Sequence, residues 1–124
     1  MRIHLSGVDV LRLHHALIER GGGLHGIGNS AEIDAVLESA SGGESGDLIS
    51  EAAALIDGFL TKRPFIDGNR RVAFAAAKTF LGLNGCRVTA APEESLAYIS
   101  RFDAGESPGL EEIKRWLEAN TAPT

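Results

Sequence analysis

KRPFIDGNRR, residues 62–71, separates two apolar helical runs and sets how they join. Upstream, Leu48, Ala52, Leu55, Ile56 and Phe59 recur at helical spacing and predict a well-buried helix from Asp47. Pro64 argues against helix through residue 63, because the residue before a proline is pushed out of the α region. Downstream of Asn69, the positions Val72, Ala76, Thr79, Phe80 and Leu83 describe a second helix. Its stretch AFAAAKTFL is small and helix-favouring, as suits a central helix packed closely on several sides. The ten residues are therefore a loop feeding the N-terminus of a central helix, with Pro64 and Phe65 expected to anchor it in the core.

Working outward, Ser6 is a plausible N-cap for a first helix carrying Val8, Leu11 and Ile18 and also Val10, Leu13 and Leu17. Gly21-Gly22-Gly23 stops it. A second helix is expected after Asn29-Ser30, with Ile33, Val36, Leu37 and Ala40 on one face, ended by an exposed loop SGGESGD. Beyond the central helix, Asn84-Gly85 forms a cap and CRVTA is at most a short strand. Glu93 to Phe102 predicts a fifth helix. Ser107-Pro108 reads as the N-cap and N1 pair of a last one, with Leu110, Ile113 and Leu117 inward. The closing TAPT reads as flexible. The expectation is an all-α fold, a single domain over residues 1–124 with about six helices around a central one.

Composition narrows the function classes. The chain has 124 residues, 44% hydrophobic and 23% charged, with a net charge of -5. That acidity argues against a general nucleic-acid binder. Locally the sign inverts. Between Lys62 and Arg87 stand Lys62, Arg63, Arg70, Arg71, Lys78 and Arg87, and Asp67 is the one acid. Cys86 is the single cysteine, so an internal disulfide is impossible and a reducing compartment is the simpler expectation. No apolar run approaches the roughly 18 residues of a membrane span, and MRIHLSGVDVL has no signal-peptide core. A cytoplasmic protein is expected.

The 62–71 loop carries the chemistry. A helix start offers free N–H groups and the positive end of a dipole, which favour an anion. Gly68 lets backbone and ligand come close. Asn69 is suited to an N-cap and to donating a hydrogen bond to an oxygen ligand. Arg71 could grip a phosphate with its guanidinium, and Asp67 is a hard oxygen ligand of the kind Mg²⁺ accepts beside phosphates. Arg70 and Arg71 are adjacent and cannot share one helix face, so one should point into the site and the other nearer solvent. Together these suggest a nucleoside triphosphate with a divalent metal. On the residues alone a charged structural turn remains the alternative.

RPFIDGNRR resembles the Fic-domain signature HPFx(D/E)GN(G/K)R, matching at Pro64, Phe65, Asp67, Gly68, Asn69 and Arg71. The likeness extends toward the short death-on-curing (Doc) branch of that family. LHHALIERGGGLHGIGNSAEIDAVLESA resembles its opening helix, Gly-rich turn and second helix, and FAAAKTFLGLNGCRVTA its central helix and the turn that follows. The resemblance implies that Asp67 holds a Mg²⁺ ion bridging the phosphates of ATP. It implies that Asn69, Arg70, Arg71 and the backbone after Gly68 bind those phosphates, and that Phe65 fixes the loop. Most Fic proteins transfer a nucleotide monophosphate and have Gly at the position of Arg70. The Doc branch has Lys there and transfers the terminal phosphate of ATP to a threonine of elongation factor Tu, arresting translation. Arg70 keeps the charge of Lys, so the kinase-like activity is expected. AMP transfer to a protein hydroxyl and a non-catalytic interaction module are the alternatives.

Position 63 departs from the family, which places its catalytic histidine there. Arginine stays protonated and cannot act as a general base. The chain is expected to bind nucleotide and turn it over poorly. Two origins fit: a change that makes a toxin tolerable to its host, which is favoured, or a native arginine in a pseudoenzyme. His4, His14, His15 and His25 are expected on the polar surface or in caps. Two near misses of the self-inhibitory (S/T)xxxE(G/N) pattern, from Thr89 and Ser107, lack its final residue. Control is therefore expected from a partner, an antitoxin of the Phd type, whose flexible C-terminal segment would fold into an apolar groove. Glu44 to Asp47 are expected to border the cleft for the protein substrate.

Overall fold

Residue chemistry at the helix ends sets the frame. Asp9 N–H donates to Ser6 Oγ at 3.2 Å while Ser6 N–H donates to the Asp9 carboxylate at 2.8 Å. This reciprocal box starts α1, Gly7–Gly21, which ends at Gly22 with φ 81°. The computed structural model describes residues 2–41, 46–102 and 106–124. In chain order there follow α2 (Ser30–Ser41), α3 (Leu48–Lys62), α4 (Asn69–Leu83), β1 (Cys86–Val88), α5 (Pro92–Ile99), α6 (Leu110–Ala119) and β2 (Thr121–Pro123). The all-α expectation holds, with a two-stranded ribbon added.

Helices α3 and α4 form the centre. Ile56, Phe59 and Leu60 of α3 and Val72, Phe80 and Leu81 of α4 are fully buried. Each such side chain stabilises the fold by about 1.5–3 kcal/mol relative to exposure. Ala73, Ala76 and Ala77 are small enough for the two helices to approach closely along the hairpin. Helices α2 and α6 pack on α3, and α1 packs on α4. The motif loop joins the two central helices, so the best-packed elements of the fold hold it from both sides.

Three local expectations change. Helix α6 begins at Leu110 with Gly109 as N-cap, two residues after the Ser107-Pro108 pair read as its start. The reason is that Ser107 Oγ donates to Asp57 Oδ1 at 2.6 Å and accepts from Gly109 N–H at 3.1 Å, tying the entering loop to α3. Helix α5 stops at Ile99, and a turn covers the remaining expected residues to Phe102. The chain end TAPT is not free: Thr121, Ala122 and Pro123 pair antiparallel with Val88, Arg87 and Cys86. Within SGGESGD, residues 42–45 lie outside the described residues, and Glu44 with them. Asp47 caps α3 by accepting from Ser50 N–H at 2.8 Å. It stands at the far end of that 15-residue helix from the motif loop, roughly 22 Å away by helix rise. Asp47 therefore does not border the cleft described next.

Candidate active site

The loop from Arg63 to Gly68 is closed from within and gripped from outside. Inside, Asn69 Oδ1 accepts from Phe65 N–H at 3.0 Å, and Asn69 Nδ2 donates to Phe65 O at 2.8 Å. The expected Asn69 cap is thus not formed. Gly68, with φ 83°, is the N-cap of α4, and the Asn69 amide ties the loop, with one amide hydrogen left over. Outside, the Gly-rich turn after α1 runs beside the loop. Gly28 and Asn29 N–H groups donate to Pro64 O at 2.7 and 3.0 Å, and Ile66 N–H donates to Gly26 O at 3.1 Å. Pro64 and Phe65 are buried, as expected of anchors.

The same turn sets the charged pair. Asp67 Oδ2 accepts from Leu24 N–H at 3.0 Å and Oδ1 from Gly68 N–H at 2.8 Å. These two donors, Leu24 first, hold the Asp67 carboxyl below its ordinary range, with Arg71 and His14 adding to the effect. Arg71 Nη1 donates to Gly22 O at 2.9 Å and to Leu17 O at 3.3 Å, at the negative end of α1. Gly23 sits against both groups: with φ 114°, a Cβ there would lie 2.6 Å from Asp67 Oδ2 and 2.9 Å from Arg71 Nη2. Only glycine fits that place.

Arg70 goes the other way, as the adjacency argument expected. Its Nη1 donates to Phe102 O at 2.8 Å and Ser100 O at 3.2 Å, just past α5. Between these walls lies an open cleft of about 310 Å³, lined by Arg63, Asp67, Arg70, Arg71, Leu96 and Ile99 among others. Arg63 is exposed at its rim and adopts the left-handed conformation, φ 49° and ψ 60°, as C-cap of α3.

His14 overturns the surface reading made for it. It is 5% exposed, and its Nε2 lies 2.8 Å from Asp67 O. Its ring lies flat on Phe65, with centroids 3.9 Å apart and planes 6° apart. A signal was present: His14 is four residues from both Val10 and Ile18, the buried positions of α1. His4 pairs with the buried Glu51 at 2.8 Å, while His15 and His25 stay exposed beside Glu19.

The set fits the expected ligand. Mg²⁺ takes one or two carboxylates with substrate phosphates, and Asp67 is an ionised carboxylate with lone pairs beyond those its two backbone donors use. Arg71 beside it and the N–H groups opening α4 would supply the positive side of such a site. A separate apolar groove, about 330 Å³, runs between α1 and α4 past Leu5, Leu13, Ala16, Thr79 and Leu83. No helix among the described residues is long and apolar enough to cross a membrane.

Comparison with known proteins shows the family. The Fic/DOC family profile matches residues 4–81, well over half of the chain. The chain is also 31% identical over 94 residues to the "Protein kinase doc" of Escherichia phage P1, covering 73% of this chain and 75% of that protein. The chain belongs to the Fic/DOC family.

Proposed function

We propose that this chain has the framework of a toxin in a toxin–antitoxin pair, built to move the terminal phosphate of ATP to a threonine of elongation factor Tu. The observation that carries the reading is the joint pinning of Asp67 and Arg71 at the start of α4 by one Gly-rich turn. Asp67 would hold Mg²⁺, and Arg71, the spare Asn69 amide hydrogen and the N–H groups after Gly68 would hold phosphate oxygens. When bound, the metal supplies neutralisation of charge on the transferring phosphoryl group. The cleft is at the small end of ligand pockets, which suits a polyphosphate held inside with the rest of the nucleotide across the mouth.

Two positions refine the reading. Arg70 fills the cleft end that a glycine would leave open, and its cation is tied to the turn after α5. That favours phosphate transfer over AMP transfer, as does the name of the phage P1 relative. Arg63 stands where the substrate hydroxyl needs a proton acceptor and cannot serve. His14 does not replace it, because its Nε2 faces the Asp67 carbonyl, which can only accept. The chain therefore binds nucleotide and turns it over poorly. A second reading, a non-catalytic binding module, rests on Arg63 itself. The apolar groove between α1 and α4 suits an antitoxin segment of the Phd type, folding as it binds. A translation-factor substrate requires action in the cytoplasm.

Calorimetry with Mg²⁺ and a non-hydrolysable ATP analogue tests the site, and no binding favours the module. Arg63→His tests the chemistry, with growth arrest and phosphate labelling of elongation factor Tu expected. Labelling with AMP would overturn the reading of Arg70. Co-expression with the neighbouring gene product tests the antitoxin, and a Leu83→Asp chain should lose that partner.

A further inference from the structure

We infer that His14 is a positioning residue that locks the Asp67–Gly68 peptide and so keeps the Gly68 N–H on the Asp67 carboxylate, fixing the group proposed to hold the metal; this rests on the phosphate-site reading above. The geometry is direct. His14 Nε2 is 2.8 Å from Asp67 O, and a carbonyl oxygen can only accept, so the ring carries its proton on Nε2. Within one peptide unit C=O and N–H point in opposite directions. Holding the carbonyl toward α1 therefore turns the Gly68 N–H outward, where it meets Asp67 Oδ1 at 2.8 Å.

This peptide needs a lock. Gly68, at φ 83° and ψ 14°, has the angles of the third residue in a type II turn. Glycine tolerates either sign of φ, so the preceding peptide can rotate to the type I arrangement at little cost. After that rotation the Asp67 carbonyl would face the cleft, and Asp67 Oδ1 would lose its Gly68 donor. His14 is well placed to prevent this. Its ring is buried flat on Phe65, whose own backbone is fixed by Asn69. The lock thus links α1 to the start of α4 through the motif loop.

Three measurements test it. In the unmodified chain above neutral pH, long-range nitrogen–proton spectra should show His14 protonated on Nε2. Protonation on Nδ1 overturns the inference whatever any variant does. His14→Phe keeps the stack and removes the donor, whereas His14→Gln can keep a donor near the same place. The Gly68 amide resonance should shift or double in His14→Phe and stay near its parent position in His14→Gln. Affinity for Mg²⁺–ATP should fall about tenfold in the first, the effect of one lost hydrogen bond, and be largely kept in the second. A folded His14→Phe chain with an unmoved Gly68 amide would show His14 to be packing alone. If the parent does not bind Mg²⁺–ATP, the nucleotide reading fails, while the tautomer and the Gly68 resonance still decide the lock.

Discussion

The two walls of the cleft are held in different ways. On the α1 side, the Gly-rich turn, His14 and the motif loop share a mesh of backbone bonds around buried Pro64 and Phe65. On the α5 side, Arg70 reaches across with an exposed side chain to the carbonyls of Ser100 and Phe102. The first wall is preformed before any ligand arrives. The second can yield, because exposed side-chain bonds are weak and compete with water. Binding should thus leave the α1 wall in place and move Arg70 with the end of α5.

The largest effect should come from breaking the preformed wall. Gly22 and Gly23 both have positive φ, but a Cβ at Gly22 meets nothing within 4 Å, whereas one at Gly23 meets Asp67 and Arg71. Either alanine substitution should cost about 1–3 kcal/mol of stability from backbone strain, read as a shift in denaturation midpoint. Gly23→Ala should in addition lower Mg²⁺–ATP affinity on the order of a hundredfold, and Gly22→Ala should leave it nearly unchanged. Equal affinities in the two variants would remove the turn from the site.

Asp67→Asn comes next. An amide cannot accept from both Leu24 and Gly68 through two oxygens, and it offers no charge to a metal, so affinity should fall roughly tenfold or more. Titration has a definite sign. The Asp67 carboxyl is lowered in the fold, so its contribution to stability is present above the unfolded value and lost as pH falls through the lower folded one. Nucleotide binding should therefore show no loss from Asp67 protonation between neutrality and about pH 5. A drop in that window that vanishes in Asp67→Asn would mean that the carboxyl is not depressed.

Most of this architecture was legible because strong local signals agree with the packing. Pro64 ended α3, Ser6 began α1, and the apolar spacing of α3 and α4 marked the central hairpin. Charge inversion and the motif drew attention to Asp67, Arg70 and Arg71, and adjacency foretold that the two arginines would diverge. What escaped was non-local. Nothing in TAPT shows that it pairs with residues more than thirty positions earlier. Ser107 looked like a helix cap until Asp57, far away in sequence, engaged its hydroxyl. Asn69 was misjudged as a cap because its partner, Phe65, is brought near only by the loop's own turn. His14 was passed over because its apolar surroundings are broken by one polar acceptor, the Asp67 carbonyl, which no spacing rule reveals.

The yielding wall gives the smaller effects. Arg70→Ala should lower stability by at most about 1 kcal/mol, since its contacts are exposed. Amide exchange through α5 should nevertheless quicken while the amides of Leu24 and Ile66 keep their rates. Faster exchange at both walls would show that Arg70 holds more than α5.

The smallest effect belongs to Arg63, which joins neither wall by a side-chain hydrogen bond among the described residues. Its left-handed backbone costs an ordinary residue about 1–2 kcal/mol. Glycine would relieve that strain but lose about 0.5–1 kcal/mol through a more flexible unfolded chain, leaving little net gain. Asparagine and histidine adopt this conformation more readily than most residues. Arg63→Asn and Arg63→His should therefore match or slightly exceed the parent in thermal midpoint. A marked fall in either would mean that the Arg63 side chain braces the rim, and a silent Arg63→His chain would then need a folding control. With the midpoint kept, silence in Arg63→His bears on the chemistry alone: the site would lack something besides its base.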